Sequence, residues 1–365
     1  MERSLVRKVV VDAVEPIENA DAIEAVRIGG WRVVCRKGDF SEGDVVLFFE
    51  VDSALNPHDD RYAFLKERCY KQFNLHGKLF DECLRIRTIR LRGVYSQGLV
   101  LNPDDFCEVR NKKVGEDCTA ELAVRHYDEV AERAVRETQP FIAANQKGLF
   151  PPYGPKTDEP RIQNLTDDDL MNALDIPFEV TEKIDGSSLT IMYIPSERPD
   201  DPIAVCSRNY EMKDMPGAYW DIVHALDLDN KLKAWCDANH RELMIQGELN
   251  GPGIQNNRDN RAERGLDVFR IWDVTEQRFL SPSERYAICE ALGISHVPVL
   301  ETVTLRRFLD TSDPCNMQKI RDAVLLYADG HTARGNLREG VVFKQVEGGD
   351  FHFKAVSNRY LEKLK

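Results

Sequence analysis

The first hundred residues never sustain a helical period. They fall instead into short β-branched runs, VRKVVVDAVEPI, AVRIGGWRVVCRKG and DVVLFFEV, bounded by Gly, Asp and Pro. Gly29-Gly30 sits between two such runs and marks a hairpin, because a two-residue turn needs residues that tolerate positive φ. Residues 84–101, LRIRTIRLRGVYSQGLVL, continue in the same manner. Several short strands with turn punctuation predict a small barrel or sandwich.

The character changes over residues 111–160. TAELAVRHYDEVAERAVRE is charged and helix-compatible, and FPPYGPKTDEP follows with four prolines in eleven residues. We therefore expect a β domain over 1–127, a linker over 128–154 and a second domain over 155–365. A chain of 365 residues exceeds what one core usually organises, and 42% hydrophobic content suffices for two cores while excluding a mostly disordered chain. In the second part, helices fit 216–239, Pro282–Leu292 (Ser281 as N-cap, Gly293 as terminator) and 314–328. An acidic first turn after Thr166 fits another. Strands fit FEVTEKI, SLTIMYI, LMIQGEL, VFRIWDV, GVVFKQV and FHFKAV.

No run approaches eighteen uncharged apolar residues, and the N-terminus lacks a signal-peptide pattern. Nine scattered cysteines form no CxxC pair, which disfavours a disulfide framework or structural zinc and fits a reducing compartment. The expectation is an intracellular protein without a membrane partner, monomeric by default. A net charge of −13 points away from a non-specific nucleic-acid coat but is compatible with a local basic track on an acidic body.

The sharpest local signal is Thr181-Glu182-Lys183-Ile184-Asp185-Gly186-Ser187-Ser188. Alone it reads equally well as a surface lysine before a tight Asp-Gly turn. Downstream, in order, come Ser207-Arg208-Asn209, Gln246-Gly247-Glu248-Leu249, Phe269-Arg270-Ile271-Trp272-Asp273, Arg338-Glu339-Gly340-Val341-Val342-Phe343-Lys344 and Phe353-Lys354. This ordered set resembles the covalent nucleotidyltransferase superfamily of polynucleotide ligases and RNA capping enzymes. The resemblance implies Lys183 as the nucleophile that takes a nucleotidyl group. An attacking amine must be unprotonated, so the lysine pKa is expected to be lowered by positive charge or burial. Lys344 and Lys354 would grip the α-phosphate, whose transition state carries extra negative charge. Asp185, Glu248 and Glu339 would converge on a hydrated Mg2+ or Mn2+. Taken singly, Glu248 and Glu339 also read as strand-end acids, Arg208 as a surface salt-bridge residue, and Phe269 and Trp272 as core.

The block from Pro155 to Asn164 is similar to the entry of the catalytic domain in ATP-dependent RNA ligases. GDVVLFFEVDSALNP and RIRTIRLRGVYSQGL resemble the amino-terminal OB domain of the Deinococcus- and Naegleria-type RNA ligases. The chain stops eleven residues after Lys354, which leaves no room for the C-terminal OB domain of DNA ligases or capping enzymes. The implied fold class is α+β: an N-terminal OB-fold β-barrel, then a nucleotidyltransferase domain of ATP-grasp-like antiparallel sheets with helices. The implied activity is ATP-dependent sealing of RNA with 5′-phosphate and 3′-OH ends. Competing expectations are a DNA ligase or capping-type enzyme and a catalytically inactive two-domain RNA-binding protein.

The family also implies that Glu182 meets the adenine amino group, Arg208 the ribose or 3′-OH strand, and Phe269 the base. Lys156 and Arg161 would meet the ATP pyrophosphate, and Gly186 belongs to the nucleotide-binding turn. Arg85, Arg87, Arg90 and Arg92, with Lys78 nearby, form the densest basic patch of the N-terminal half and suit RNA along an OB face. A solvated face balanced by Asp81 and Glu82 is the alternative. On one continuous strand Arg85 and Arg87 would face opposite to Arg90 and Arg92; a bulge near Thr88 would realign them.

Overall fold

The structure, a computed structural model, describes residues 4–75, 77–138, 144–156, 158–347 and 349–363. The chain forms two compact units. The first comprises 1–143 with 163–166 and 362–365, and the second 144–162 with 167–361.

In the first unit the strand Val45–Phe49 pairs antiparallel with Val6–Val10 and Leu99–Leu101. Its side chains alternate between two cores. Leu47 and Phe49 join Val6, Leu55, Tyr62 and Leu84, while Val46 and Phe48 join Val26, Ile28, Trp31 and Val33. Burial on both faces is why this strand reads as an unbroken apolar run rather than an alternating one. A second sheet runs Ala13–Pro16, Ile23–Ile28, Trp31–Arg36, and the expected hairpin turns at Gly29, whose φ is 55°. A third runs Arg125–His126, Ser53–Leu55, Lys78–Arg85, Tyr70–Leu75.

The stretch 84–101 is not one strand. Lys78–Arg85 stops, residues 86–88 are irregular, and Ile89–Leu91 begins a separate hairpin with Val94–Ser96. Arg92 and Gly93 form its turn at φ 47° and 86°.

The segment 128–154, expected as a linker, carries regular structure. The helix Tyr127–Thr138 buries Val130 with Ala54 and Cys83 of the first unit, and Gln146–Leu149 pairs with Tyr210–Met212 in the second. Val130 and Ala134, one helical turn apart, supply a narrow apolar stripe that the surrounding charge masks in the sequence. Residues 139–143 of this segment lie outside the described residues.

The second unit holds two largely antiparallel sheets. The larger follows the path Gln146–Leu149, Tyr210–Met212, Ile203–Cys206, Ser187–Tyr193, Leu243–Asn250, Gly265–Asp273, Arg278–Phe279. Helices Ala218–Ala225, Leu228–Asn239 and Pro282–Leu292 cover its apolar face, where Ile191, Ile245, Val268 and Ile271 are buried. The single helix expected over 216–239 is two, broken where Asp227 takes φ 52°. Pro282–Leu292 has the expected ends: a capping box between Ser281 and Glu284, and Gly293 at φ 64°. The smaller sheet runs Val299–Val303, Phe178–Lys183, Gly340–Gln345, His352–Val356. One face is sealed by Phe343 and Phe353, stacked at 4.6 Å, with Phe178 edge-on to both. Among the described residues no helix is long and apolar enough to cross a membrane, and the nine cysteines are free thiols.

Candidate active site

Register decides which side chains meet. On adjacent strands of the smaller sheet Lys183 is opposite Gly340, Thr181 opposite Val342 and Glu179 opposite Lys344, while Val342 and Lys344 are opposite Lys354 and His352. Paired residues share a face. Lys183, Lys344 and Lys354 therefore stand together on the face away from the phenylalanine cluster. Beyond Lys183 the chain leaves this sheet through Ile184-Asp185-Gly186 and enters the larger one as Ser187–Tyr193. A Cβ on Gly186 would lie 2.3 Å from the Leu249 carbonyl oxygen and 2.9 Å from Glu248 Cγ. Glycine lets the crossing pack directly on the strand that carries Glu248.

Lys183 Nζ lies 2.7 Å from Glu339 Oε1. Burial presses the Lys183 pKa downward, but Glu339, Glu248 and Glu159 outweigh it and hold the ammonium above its ordinary value. This reverses the expectation of a lowered pKa: in the protein alone the acids, not the neighbouring cations, dominate. Glu248 answers in kind. Burial pushes its carboxyl up to about 8, with Glu339, Asp185 and Glu159 adding and Lys183 opposing. Asp185 is 3.4 Å from Arg258. Glu248 thus feels both Glu339 and Asp185, yet among the described residues no three Asp, Glu, His or Cys side chains form a group that could hold a metal ion.

Lys344 is 7% exposed; its ammonium donates to the Phe269 carbonyl at 2.5 Å and lies 5.4 Å from the centre of that ring. Burial drives its pKa down to about 7, Arg285 and Arg270 helping and Glu159 and Glu179 opposing. Lys354 donates to Asp158 Oδ1 at 2.7 Å, and burial keeps its pKa below the ordinary value against the pull of Asp158 and Glu159. The segment that carries these acids is tied in by a bridge between Arg161 and Lys354. Arg208, on the turn after Ile203–Cys206, is 3.7 Å from Asp158, and Lys156 donates to Asn209 Oδ1 at 3.3 Å.

Phe269 sits in a β-bulge: Gln246 is opposite Arg270 and Gly247 opposite Val268, so Phe269 is the extra residue. It is half-buried and outside the core that takes Val268 and Ile271, whereas Trp272 packs with Met244 and Phe279. Glu182 alternates to the opposite face from Lys183. There burial, with Asp259 and Asp267, pushes it up to about 7 against Arg338 and Arg261.

Two site residues escaped the sequence reading. Glu159 is held below the ordinary carboxylate value, against the effect of burial, by Lys344, Lys354 and Arg270. Nothing in the TDEP string distinguishes it from a surface acid. Arg270 is 5% exposed and pairs with Asp350. An arginine inside the apolar run VFRIWDV was a legible signal, because charges inside buried strands need partners.

In the first unit, Arg85 donates to Asp52 Oδ1 at 2.8 Å and lies 4.0 Å over the Tyr127 ring. Arg90 donates to the Gly93 carbonyl beside Tyr95, Arg92 is exposed on its turn, and Arg87 is half-buried on the irregular stretch.

An RNA ligase family model matches residues 176–356, and an OB-fold domain model matches residues 5–103. A variant of Naegleria gruberi RNA ligase solved with AMP and Mn superposes with a TM-score of 0.81 at 32% identity, covering 99% of each chain. This chain belongs to the RNA ligase family. A second variant of that enzyme, with ATP and Mn, gives a TM-score of 0.79 at 31% identity over 98% of each chain. The same enzyme with PPi gives 0.80 at 32% identity, covering 100% of this ligase and 99% of that chain. A comparison with curated proteins gives no match. The ligase is therefore an OB fold followed by an α+β catalytic unit.

Proposed function

We propose that this ligase seals RNA ends or nicks in three steps that use ATP, with Lys183 as the covalent nucleophile. The unprotonated Lys183 amine attacks the α-phosphorus of ATP, forming an N–P bond as pyrophosphate leaves. The AMP then passes to an RNA 5′-phosphate, and a 3′-OH attacks that activated end, releasing AMP. The observation that carries this reading is the clustering of Lys183, Lys344 and Lys354 on one sheet face with Glu339 2.7 Å from Lys183. The presence of Lys183, Asp185, Glu248, Glu339 and Lys354 together favours an active enzyme over an inactive RNA-binding scaffold.

Lys183 begins as an ammonium held by acids, so its proton must leave before attack, and Glu339 is the nearest acceptor. Asp185, Glu248 and Glu339 offer oxygen donors only and do not close into a three-residue metal group by themselves, so they would hold a hard divalent cation through part of its retained water shell; burial, with Glu339 and Asp185 adding, raises Glu248. When bound, Mg2+ or Mn2+ supplies positive charge that offsets these carboxylates and the phosphates. Lys344 and Lys354 then meet the α-phosphate, Phe269 stacks on the base, Glu182 meets the adenine amino group, and Gly186 keeps the turn close. Arg208, Lys156 and Arg161 serve the remaining phosphates and ribose. Arg87, Arg90 and Arg92 of the OB unit contact RNA phosphates, while Arg85, bound to Asp52, shapes that face. We take the domain division to follow the two compact units, and the protein to act as a monomer inside the cell.

Intact mass before and after ATP with Mg2+ or Mn2+, with pyrophosphatase present, tests the first step. A gain of one adenylyl group in wild type and none in Lys183→Met supports it. No gain in wild type, or a gain in the variant, overturns the assignment; GTP in place of ATP reports a capping-type preference.

A further inference from the structure

Next to the lysine face lies an ion pair with no part in the steps above. Arg285, on the helix Pro282–Leu292, and Glu179, on the strand that ends in Lys183, are 3% and 2% exposed. One guanidinium nitrogen of Arg285 donates to both Glu179 oxygens, at 3.0 and 2.9 Å. Taking two charges out of water is costly, and buried pairs often add little stability over apolar residues of similar size. Stability alone is therefore a weak reason for this pair.

Both partners bear on Lys344. Glu179 is its register partner on the neighbouring strand. Arg285 donates at 3.3 Å to the Phe269 carbonyl, the same oxygen that receives the Lys344 ammonium at 2.5 Å. That carbonyl belongs to the bulged residue, which has no register partner of its own to fix its direction.

We propose that the Arg285–Glu179 pair is a positioning clamp for Lys344. Arg285 fixes the carbonyl against which the ammonium rests and occupies Glu179, so that this carboxylate does not capture Lys344 and draw it away from the nucleotide phosphate. The role assigned to Lys344 rests on the adenylylation reading; the clamp itself is a statement about the ammonium's partners. The charged or titratable groups around Lys344 are Glu179 on its own sheet, His352 opposite it and Lys354 two residues further along the next strand, Glu159, Arg270 and Arg285. Arg270 is in turn engaged by Asp350. In this setting Lys344 titrates near 7, and the two clamp residues act on it with opposite sign.

The test is direct titration of Lys344 by NMR in protein carrying lysine 13C-labelled at Cε, the resonance assigned by its loss in Lys344→Arg. Arg285→Met leaves Glu179 facing the ammonium and should move the midpoint up by a unit or more. Glu179→Gln leaves Arg285 facing it and should move the midpoint down by a similar amount. The double variant should return near the wild-type midpoint. In parallel, adenylylation by Arg285→Met should show a KM for ATP raised about tenfold or more, with a smaller change in kcat. Arg285→Lys, which keeps the charge, covers the case in which Arg285→Met fails to fold; it should keep the midpoint within half a unit of wild type. Unmoved midpoints, or shifts of the same sign in both single variants, would overturn the clamp and show a purely structural pair. Absence of adenylylation in wild type would instead overturn the ligase reading, while the midpoints still decide the clamp.

Discussion

Glu182 and Lys183 are chain neighbours with opposite surroundings, because a strand turns successive side chains to opposite faces. Lys183 joins the lysine face, and Glu182 enters a pocket where burial and Asp259 lift its carboxyl from 4.5 to about 7. A carboxyl whose folded value exceeds its unfolded one helps stability fully below the unfolded value. That help is lost as pH rises through the folded value. A shift of this size corresponds to about 3 kcal/mol. Glu182→Gln, which removes the charge and keeps the shape, should therefore be close to neutral for stability at pH 4. It should stabilise the protein by up to about 3 kcal/mol at pH 8. Urea unfolding at both pH values checks this, and an equal effect at the two would sink the assignment. That Lys183, Glu248 and Glu339 come together was legible because their motifs carry residue types with few other uses in that order. Their charge states were not. Burial presses Lys183 down, and the acids that outweigh it are Glu339 and Glu248 first and then Glu159, which comes from an earlier segment brought in by the bridge between Arg161 and Lys354.

At the scale of elements, strands were read better than their interruptions. All six expected strands of the catalytic unit are present, since alternating and β-branched runs report directly on pleated surfaces. The breaks were missed where one residue carries them: Asp227 at φ 52° splits a helix, and the bulge at Phe269 shifts register by one. Neither position has Gly or Pro to announce it. Gly186 shows the reverse case, a glycine that was noticed for its turn but is needed for space. Alanine there would force its Cβ to 2.3 Å from a backbone oxygen of the Glu248 strand. Overpacking of this kind costs about 1–3 kcal/mol, and relief requires the crossing to move away from Glu248. Gly186→Ala should thus slow adenylyl uptake by at least about a hundredfold, equivalent to about 2.7 kcal/mol of barrier, while circular dichroism still reports a folded chain. Full activity in this variant would mean that the crossing tolerates the added methyl and that Glu248 need not sit so close.

At the scale of the whole molecule, the charge of −13 and the work of binding RNA pull in opposite directions. A protein of this net charge repels phosphate at long range, so RNA affinity has to come from local cations whose effect is screened by salt. The OB unit presents Arg87, Arg90 and Arg92 around the hairpin that turns at Arg92-Gly93, and none of these belongs to the unit that holds Lys183. The two half-reactions should therefore separate by unit. Replacing Arg87, Arg90 and Arg92 together with Gln should leave adenylyl uptake from ATP within about twofold of wild type and lower RNA sealing at modest salt by about tenfold or more. Each lost phosphate contact to a single strand flattens the dependence of log K on log salt by about 0.7, so the triple variant should be flatter by about 2. Intact mass reads the first quantity, and RNA binding across a salt series reads the other. An unchanged slope would assign RNA binding to other residues, and a parallel loss of adenylyl uptake would show that these arginines support the fold rather than the substrate.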